Sequence, residues 1–167
     1  MEQIDILEIM DHPDAEEVGQ GSWVDVERPE KAYTAGLGPC AGVLVHNPKE
    51  ASAVLGHFVD PRMKVEDFYG LVKHARGRMG KVVDQVVYLS GVAPEDSRQR
   101  SLHEARGVRK FVKEAFLQSG YQEEQIRASW NKVDHAATMA VDTESGKVVV
   151  SHSDYSHLSD LSEEWDR

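Results

Sequence analysis

Residues 41–60, AGVLVHNPKEASAVLGHFVD, decide the fold of this chain. Two apolar and largely β-branched runs, AGVLVH and AVLGHFVD, are separated by the turn-prone letters NPKEAS. Such a pattern predicts a β-hairpin, because β-branched residues fit a pleated surface and Asn-Pro marks a turn. The second strand of the hairpin carries His57 and returns it beside the start of the first strand.

The seven residues before the hairpin, TAGLGPC at 34–40, end in the only cysteine of the chain. Glycine permits unusual φ angles and proline stiffens the backbone. A turn built from Gly36, Gly38 and Pro39 is therefore predicted, and it presents Cys40 at the mouth of a sheet. The spacing G-x-G-x-x-x-G, with no helix pattern after it, does not fit a phosphate-binding loop.

Two interpretations of Cys40 and His57 follow from these letters. A thiol becomes a nucleophile when a base removes its proton, because the pKa of a free thiol is near ~8.5. Histidine is the usual base, and the hairpin brings His57 back toward Cys40. A packed thiol and a histidine inside a core strand explain the same letters without any chemistry. The residues alone leave both interpretations open.

The remaining periodicity predicts an α+β fold. Apolar residues recur at steps of three and four over 64–79 and 94–119, which predicts two main helices, the second ending at Gly120. Strands are expected at 4–10, 23–26, 81–89, 125–130 and 135–141, and after the turn at 143–146. This order indicates layers, with a mostly antiparallel sheet or sandwich core flanked by the two helices.

The length of 167 residues suits one domain. We expect it to span 1–151, with its core at 30–150, and to be followed by a polar and acidic tail at 152–167. His152 and His157 lie in that tail with no matching cluster, so a solvated segment is favoured over a metal site. No metal and no cofactor are expected.

The charge balance excludes several kinds of partner. The chain has 19 Lys and Arg against 29 Asp and Glu, a formal net charge of -10, which disfavours nucleic acid and anionic membranes. No apolar run approaches the ~20 residues of a membrane span, and the amino terminus lacks the layout of a signal peptide. A single cysteine allows no internal disulfide. We expect a cytoplasmic protein without membrane insertion.

The block TAGLGPC, an apolar strand, Asn47-Pro48 and then GHF with a proline four residues after the histidine resembles the signature of the chemoreceptor glutamine deamidase family, CheD. That family reads T-x-G-L-G-S-C before its strand, and a cysteine nucleophile, a histidine base and a threonine form its triad. The resemblance implies Cys40 as nucleophile, His57 as general base and Thr34 as third member. The separations also match, at six residues (34 to 40) and 17 residues (40 to 57).

The resemblance extends more loosely over residues 30–150, through the strand VVYLSG, the second helix and the hairpin DTESGKVVV. A similar cysteine-histidine core occurs in the cytotoxic necrotizing factors, Burkholderia lethal factor and protein N-terminal asparagine amidohydrolases. Three departures stand out. Pro39 replaces a serine, Ser90-Gly91 replaces a double glycine, and HAATMAV replaces an Arg-rich stretch.

The resemblance implies a cysteine-dependent amidohydrolase that converts a Gln or Asn side-chain carboxamide, in a protein, to a carboxylate through a thioester, with release of ammonia. It also implies a role in chemotaxis and a regulatory protein partner. Its glycine turn, Gly36, Gly38 and Pro39, would supply oxyanion donors. We further expect the substrate cleft to include Ser90, Gly91 and, beside Asp134, His135. The alternative is a non-catalytic partner-binding protein that keeps the fold.

Overall fold

The computed structural model describes residues 2–27, 30–95 and 101–154. They form four layers: one helix, a smaller sheet, a larger sheet and two further helices. The elements in chain order are α1 (Glu2–Met10), β1 (Glu16–Glu17), β2 (Ser22–Glu27), β3 (Lys31–Leu37), β4 (Ala41–Asn47), β5 (Ser52–Phe58), α2 (Val65–Arg78), β6 (Val86–Gly91), α3 (Leu102–Gln118), β7 (Ile126–Trp130), β8 (His135–Asp142) and β9 (Lys147–Asp154).

Both sheets are mainly antiparallel. The smaller sheet has the strand order β1-β3-β8-β9, and only the β1–β3 pair is parallel. The larger sheet has the order β2-β5-β4-β6-β7, and only the β6–β7 pair is parallel. The expected α+β fold with a layered sheet core and flanking helices is confirmed.

The predicted hairpin is formed by β4 and β5 at the centre of the larger sheet. Gly42 faces His57 and Asn47 faces Ser52 across this ladder. Successive side chains of a strand point to opposite faces, so each strand serves two cores. In β4, Val43 packs toward the helices and Leu44 packs toward the smaller sheet.

Three apolar clusters hold the layers together. The first lies between the larger sheet and the helices, where Phe68 of α2 makes edge contacts with Phe58 and Phe116. The second lies between the sheets and includes Leu37, Cys40, Leu44, Leu55 and Met139. The third packs α1 on the outer face of the smaller sheet. Burial of apolar area in these clusters is the main stabilising contribution to the fold.

The prediction of a strand at 4–10 is wrong, since these residues belong to α1. Ile6 and Ile9 lie three residues apart, are buried and pack on Ala140 and Val149, whereas Leu7 between them is 47% exposed. A short run in which isoleucines and a leucine are nearly contiguous fits both the helical and the strand period. Its burial against an existing sheet selects the helix.

Other boundaries also differ from those expected. Helix α3 begins at Leu102 rather than near 94, because the Ser101 side chain accepts a hydrogen bond from the N–H of Glu104 and caps the helix. Residues 82–84 form a 3-10 turn before β6. Residues 34–37, expected in a turn, complete β3, a strand not predicted from the sequence.

Strand β9 continues to Asp154 and therefore includes His152. The rest of the segment expected to be a tail, His157 included, lies outside the described residues. None of the helices formed by residues 2–27, 30–95 and 101–154 is long and apolar enough to cross a membrane.

Candidate active site

Thr34 and His57 form a hydrogen bond that joins the two sheets. The Oγ1 atom of Thr34 on β3 lies 2.8 Å from Nδ1 of His57 on β5. Both side chains are buried, with exposures of 0% and 3%. Thr34 Oγ1 also lies 2.6 Å from the main-chain oxygen of Val18. The hydroxyl is therefore held between an imidazole and a carbonyl.

The Val18 carbonyl determines the tautomer of His57. A carbonyl oxygen only accepts hydrogen bonds, so the single hydroxyl proton of Thr34 is donated to Val18. Thr34 Oγ1 then accepts the proton on Nδ1 of His57, which leaves the ring's lone pair on Nε2. Val18 is itself fixed, because its N–H donates to the Tyr33 oxygen at 2.8 Å. His57 is thus oriented as a proton acceptor at Nε2.

Cys40 and His57 share the inter-sheet face of the larger sheet. The N–H of Val92 donates to the Cys40 oxygen at 2.8 Å, which continues the β4–β6 ladder one residue beyond the start of β4. Cys40 and Gly42 therefore point to the same face, and Gly42 lies opposite His57. Cys40 is a diagonal neighbour of His57, a relation that corresponds to a spacing of about 7–8 Å between residues.

The Cys40 side chain is 4% exposed and packs in the inter-sheet cluster. Among the residues that the structure describes, Nε2 of His57 has no hydrogen-bond partner, so it is not bonded to the Cys40 sulfur in this conformation. Catalytic hydrogen bonds are often long in ligand-free structures and shorten when the substrate binds. The two groups are placed as neighbours, with the acceptor nitrogen unoccupied by any described side chain.

A β-bulge places both Thr34 and Leu37 in the interior. These residues are three apart, and strict alternation would turn one of them outward. The pairing with β8 shifts between them, and Gly36 takes a φ of +69°, as a glycine bulge requires. The N–H of Gly38 then donates to the Gly36 oxygen at 2.9 Å, and Pro39 has no N–H.

The end of β6 packs closely against the turn that carries Cys40. Gly91 has a φ of +84°, and a Cβ atom there would overlap the carbonyl oxygen of Cys40. Val92 also lies in the left-handed region, with a φ of +53°, an outlier for a β-branched residue. Its N–H donates to Cys40, and the N–H of Ala93 donates to the Gly38 oxygen at 2.9 Å.

The structure brings Thr34, Cys40 and His57 together and places Gly91 against the cysteine. The Ser90 and His135 side chains are engaged elsewhere. Ser90 Oγ donates to the Ser129 oxygen at 2.8 Å, and Nδ1 of His135 donates to the Val133 oxygen at 2.9 Å. No group of three or more His, Cys, Asp or Glu residues within the described ranges is arranged to hold a metal ion.

Burial sets the protonation state of the candidate base. Desolvation disfavours the charged imidazolium and lowers the pKa of His57 below its usual value of 6.5. A second buried histidine, His46 at the far end of β4, has a lowered pKa for the same reason. His57 is therefore neutral at neutral pH, the form that a general base requires.

A cavity of about 270 Å³ lies beside the end of β5. Its walls are mostly apolar, and its lining residues are Gly21, Phe58, Val59, Asp60, Met63, Lys64 and Asp67. In the antiparallel ladder Ala41 pairs with Phe58. The next position along β5, Val59, therefore lies opposite Cys40, the residue before Ala41. The cavity therefore borders the chain position directly across the ladder from Cys40.

Two residues of the site were not found from the sequence. Val18 acts through its main-chain oxygen, which leaves no signal in the side-chain pattern. Asn131 is 2% exposed, and its side chain donates to the oxygens of Leu37 and Gly38. In the sequence SWNKVDH it resembles an ordinary turn asparagine, because its partners are 94 and 93 residues away.

No protein-family model matches the chain, and no curated protein was found to match it. Among solved structures, the hypothetical protein YfiH of Bacillus licheniformis is similar, with a TM-score of 0.51 and 10% sequence identity. The similarity covers 75% of this chain and 67% of that chain. At this identity the likeness shows the fold alone.

We expect folding stability to fall at acid pH because of the two buried histidines. Their folded-state pKa values lie below 6.5, so the unfolded chain binds more protons just below that pH. Their contribution is present above pH 6.5 and is lost as the pH falls towards the lowered values. Urea unfolding from pH 8 to pH 5 should show this loss, and His57→Gln should flatten the profile. A wild-type profile that stays level over this range would contradict the prediction.

Gly91 is expected to tolerate alanine less well than a glycine whose surroundings are open. Gly146 has a similar φ of +76°, and a Cβ atom added there would meet no other atom within 4 Å. Gly146→Ala should therefore cost about 1–2 kcal/mol, the left-handed penalty alone. Gly91→Ala adds the overlap with Cys40 and should cost about 3 kcal/mol or more. Chemical denaturation measures both, and equal costs would show that the turn yields without penalty.

Proposed function

We propose that this protein is a cysteine-dependent amidohydrolase that deamidates the side chain of Gln or Asn in a protein substrate. The observation that carries the proposal is the chain of hydrogen bonds from His57 to Thr34 to Val18. These bonds keep the imidazole in the tautomer whose lone pair is on Nε2. His57 and Cys40 lie on the same face of the larger sheet. The resemblance of TAGLGPC and His57 to the CheD signature supports the same reaction and the same three roles.

The first half of the reaction forms a thioester. Nε2 of His57 removes the proton from the Cys40 thiol, and the thiolate attacks the carboxamide carbon of the substrate. The resulting tetrahedral intermediate collapses when the carbon–nitrogen bond breaks and His57 returns the proton to the leaving ammonia. Thr34 holds the ring throughout, since its hydroxyl proton is committed to Val18.

The oxyanion of the intermediate requires donors near Cys40. Within the turn, the Gly38 N–H is bonded to the Gly36 oxygen and Pro39 has no N–H. Candidate donors are the Cys40 N–H and the Gly38 N–H once it is released from the Gly36 oxygen. The proline that replaces the family's serine thus limits the donors that the turn supplies.

The second half of the reaction hydrolyses the thioester. His57 accepts a proton from water, the water oxygen attacks the acyl carbon, and the carbon–sulfur bond breaks. The thiol regains its proton from His57, and the substrate carries a carboxylate where the amide was. Each step uses only groups of the chain and water. A carboxylic ester would react by the same route with an alcohol as leaving group.

The burial of Cys40 favours a narrow reacting group. A cysteine with a residue exposure of 4% between two sheets suits a carboxamide on a slender stem, such as a Gln side chain, better than a bulky acyl group. The neighbouring cavity of about 270 Å³ offers room for residues beside the reacting one. Met63 at its wall is 83% exposed and accessible to a macromolecule.

One observation favours a second candidate function, a non-catalytic binding protein. The Cys40 side chain packs in the inter-sheet cluster, and no hydrogen bond joins its sulfur to Nε2 of His57. In this function the thiol is core packing, and the acidic surface engages a partner. The reactivity of Cys40 separates the two functions.

Iodoacetamide should alkylate Cys40 near neutral pH faster than it alkylates an ordinary thiol. His57→Ala should slow the reaction about 100-fold or more, because the base is lost. Thr34→Val should slow it less, about tenfold, since the ring remains but is no longer oriented. His46→Ala is the matched control, a buried histidine with a lowered pKa away from Cys40. Equal and slow alkylation of the wild type and His57→Ala would favour the binding protein.

Mass spectrometry of a cell lysate should identify the substrate. After incubation with the wild type, we expect particular Gln or Asn residues to gain the mass that accompanies conversion of an amide to an acid. Cys40→Ser removes the nucleophile and should leave the same peptides unmodified. If the two digests are identical, deamidation of proteins in that lysate is ruled out.

A further inference from the structure

Asn131 connects the turn that carries Cys40 to the strands behind it. It lies in the segment between β7 and β8 and is 2% exposed. Its Nδ2 atom lies 2.5 Å from the Leu37 oxygen, 3.0 Å from the His135 oxygen and 3.3 Å from the Gly38 oxygen. Its own N–H donates to the Gly91 oxygen at 2.9 Å. The side chain of Asn131 thus bonds the turn before Cys40, and its main chain bonds the end of β6 beside the turn.

The orientation of the Asn131 amide is fixed by its partners. Its two amide protons serve three carbonyl oxygens, which only accept hydrogen bonds. A flipped amide would direct its oxygen at those carbonyls and lose every bond. On the other side, Oδ1 accepts from Nδ1 of His152 at 2.9 Å, and Nε2 of His152 pairs with Ser129 Oγ at 2.8 Å. His152 therefore aims the donors of Asn131 at the turn.

The main chain of Asn131 is held from the helix side. Arg109 of α3 donates from Nη2 to the Asn131 oxygen at 2.8 Å. The same guanidinium donates to the Val92 oxygen, from Nε at 3.2 Å and from Nη2 at 2.9 Å. Val92 is the left-handed residue whose N–H donates to Cys40. Arg109 thus holds two residues that hydrogen-bond the 37–40 turn, Val92 at Cys40 and Asn131 at Leu37 and Gly38.

We propose that Asn131 is a positioning residue of the active site, which holds the 37–40 turn so that the Cys40 side chain keeps its place beside His57 on the inter-sheet face. This role rests on the proposed function and acts through Cys40, since Asn131 does not itself take part in the reaction. A carbonyl of residue 37 or 38 released from Asn131 lets the turn rotate, and displacement by ~1 Å is enough to cost up to ~100-fold in a reaction that depends on alignment. His152 shares the role by orienting the amide.

The chain offers a matched control in Asn47, at the other end of β4. It is 0% exposed, its Nδ2 donates to the Met79 oxygen at 2.6 Å, and its Oδ1 accepts from the N–H groups of Lys49 and Glu50. Asn47→Ala therefore removes a comparable set of buried bonds without contact to the turn. Both variants should lose folding stability to a similar degree, so any difference in thiol chemistry belongs to the position of Asn131.

The test combines alkylation of Cys40 with a double-mutant cycle. Asn131→Ala should slow alkylation by iodoacetamide about tenfold, and adding His57→Ala should then change the rate little, because a misaligned base is already ineffective. In the Asn47→Ala background, His57→Ala should keep its full effect. Asn131→Asp keeps the oxygen that accepts from His152 but loses both amide donors. It replaces Asn131→Ala in the cycle if the alanine variant folds poorly. A full effect of His57→Ala in the Asn131 variants would overturn the proposal.

Hydrogen exchange supplies a readout that does not depend on catalysis. The N–H groups of Val92 and Ala93 donate to the Cys40 and Gly38 oxygens and report directly on the turn. They should exchange at least about tenfold faster in Asn131→Ala than in Asn47→Ala at equal stability. If His57→Ala has no effect on the wild type, the proposed function fails and these amides alone decide the role of Asn131. If Val92 and Ala93 exchange no faster in Asn131→Ala than in Asn47→Ala, the proposal that Asn131 holds the turn is overturned.

Discussion

The register of β4 against β5 is the constraint on which the site depends. Because Gly42 faces His57, the histidine and the position of Cys40 share the face between the sheets. Side chains alternate along a strand, so a slip of one residue would turn His57 toward α2 and exchange the two cores along the whole hairpin. The apolar residues of β4 and β5 therefore fix the geometry of a polar pair. Core packing and site assembly are decided by the same ladder.

The smaller sheet supplies the residue that orients His57. Thr34 is delivered across the interior by β3, and the bulge at Gly36 returns Leu37 to the same cluster without displacing the threonine. Every polar atom in this relay has a partner except Nε2 of His57, within the described part of the chain. A buried polar atom without a partner costs about 1–3 kcal/mol. The fold accepts that cost at the nitrogen that the proposed reaction uses.

Local patterns in the sequence predicted the parts that depend on local physics. The hairpin, the return of His57 toward Cys40 and helix α2 follow from hydrophobic periodicity and turn residues. The period was ambiguous at 4–10, where α1 forms because Ile6 and Ile9 find a sheet to cover. The Val18 carbonyl and Asn131 contribute through main-chain groups and long-range contacts, which no side-chain pattern encodes. The close approach of Gly91 to the Cys40 carbonyl is likewise a contact between residues that are distant in the sequence.

The packing of Cys40 between the sheets has a consequence for oxidation. A thiolate that attacks a peroxide oxygen becomes a sulfenic acid as the oxygen–oxygen bond breaks, and proteins with a second cysteine resolve it as an internal disulfide. Cys40 is the only cysteine of the chain, so an oxidised sulfur there would depend on an external thiol for its reduction. Because Cys40 is only 4% exposed, the external thiol would have to reach it by the same narrow approach as the oxidant. The enclosure that slows damage to this sulfur therefore slows its repair as well.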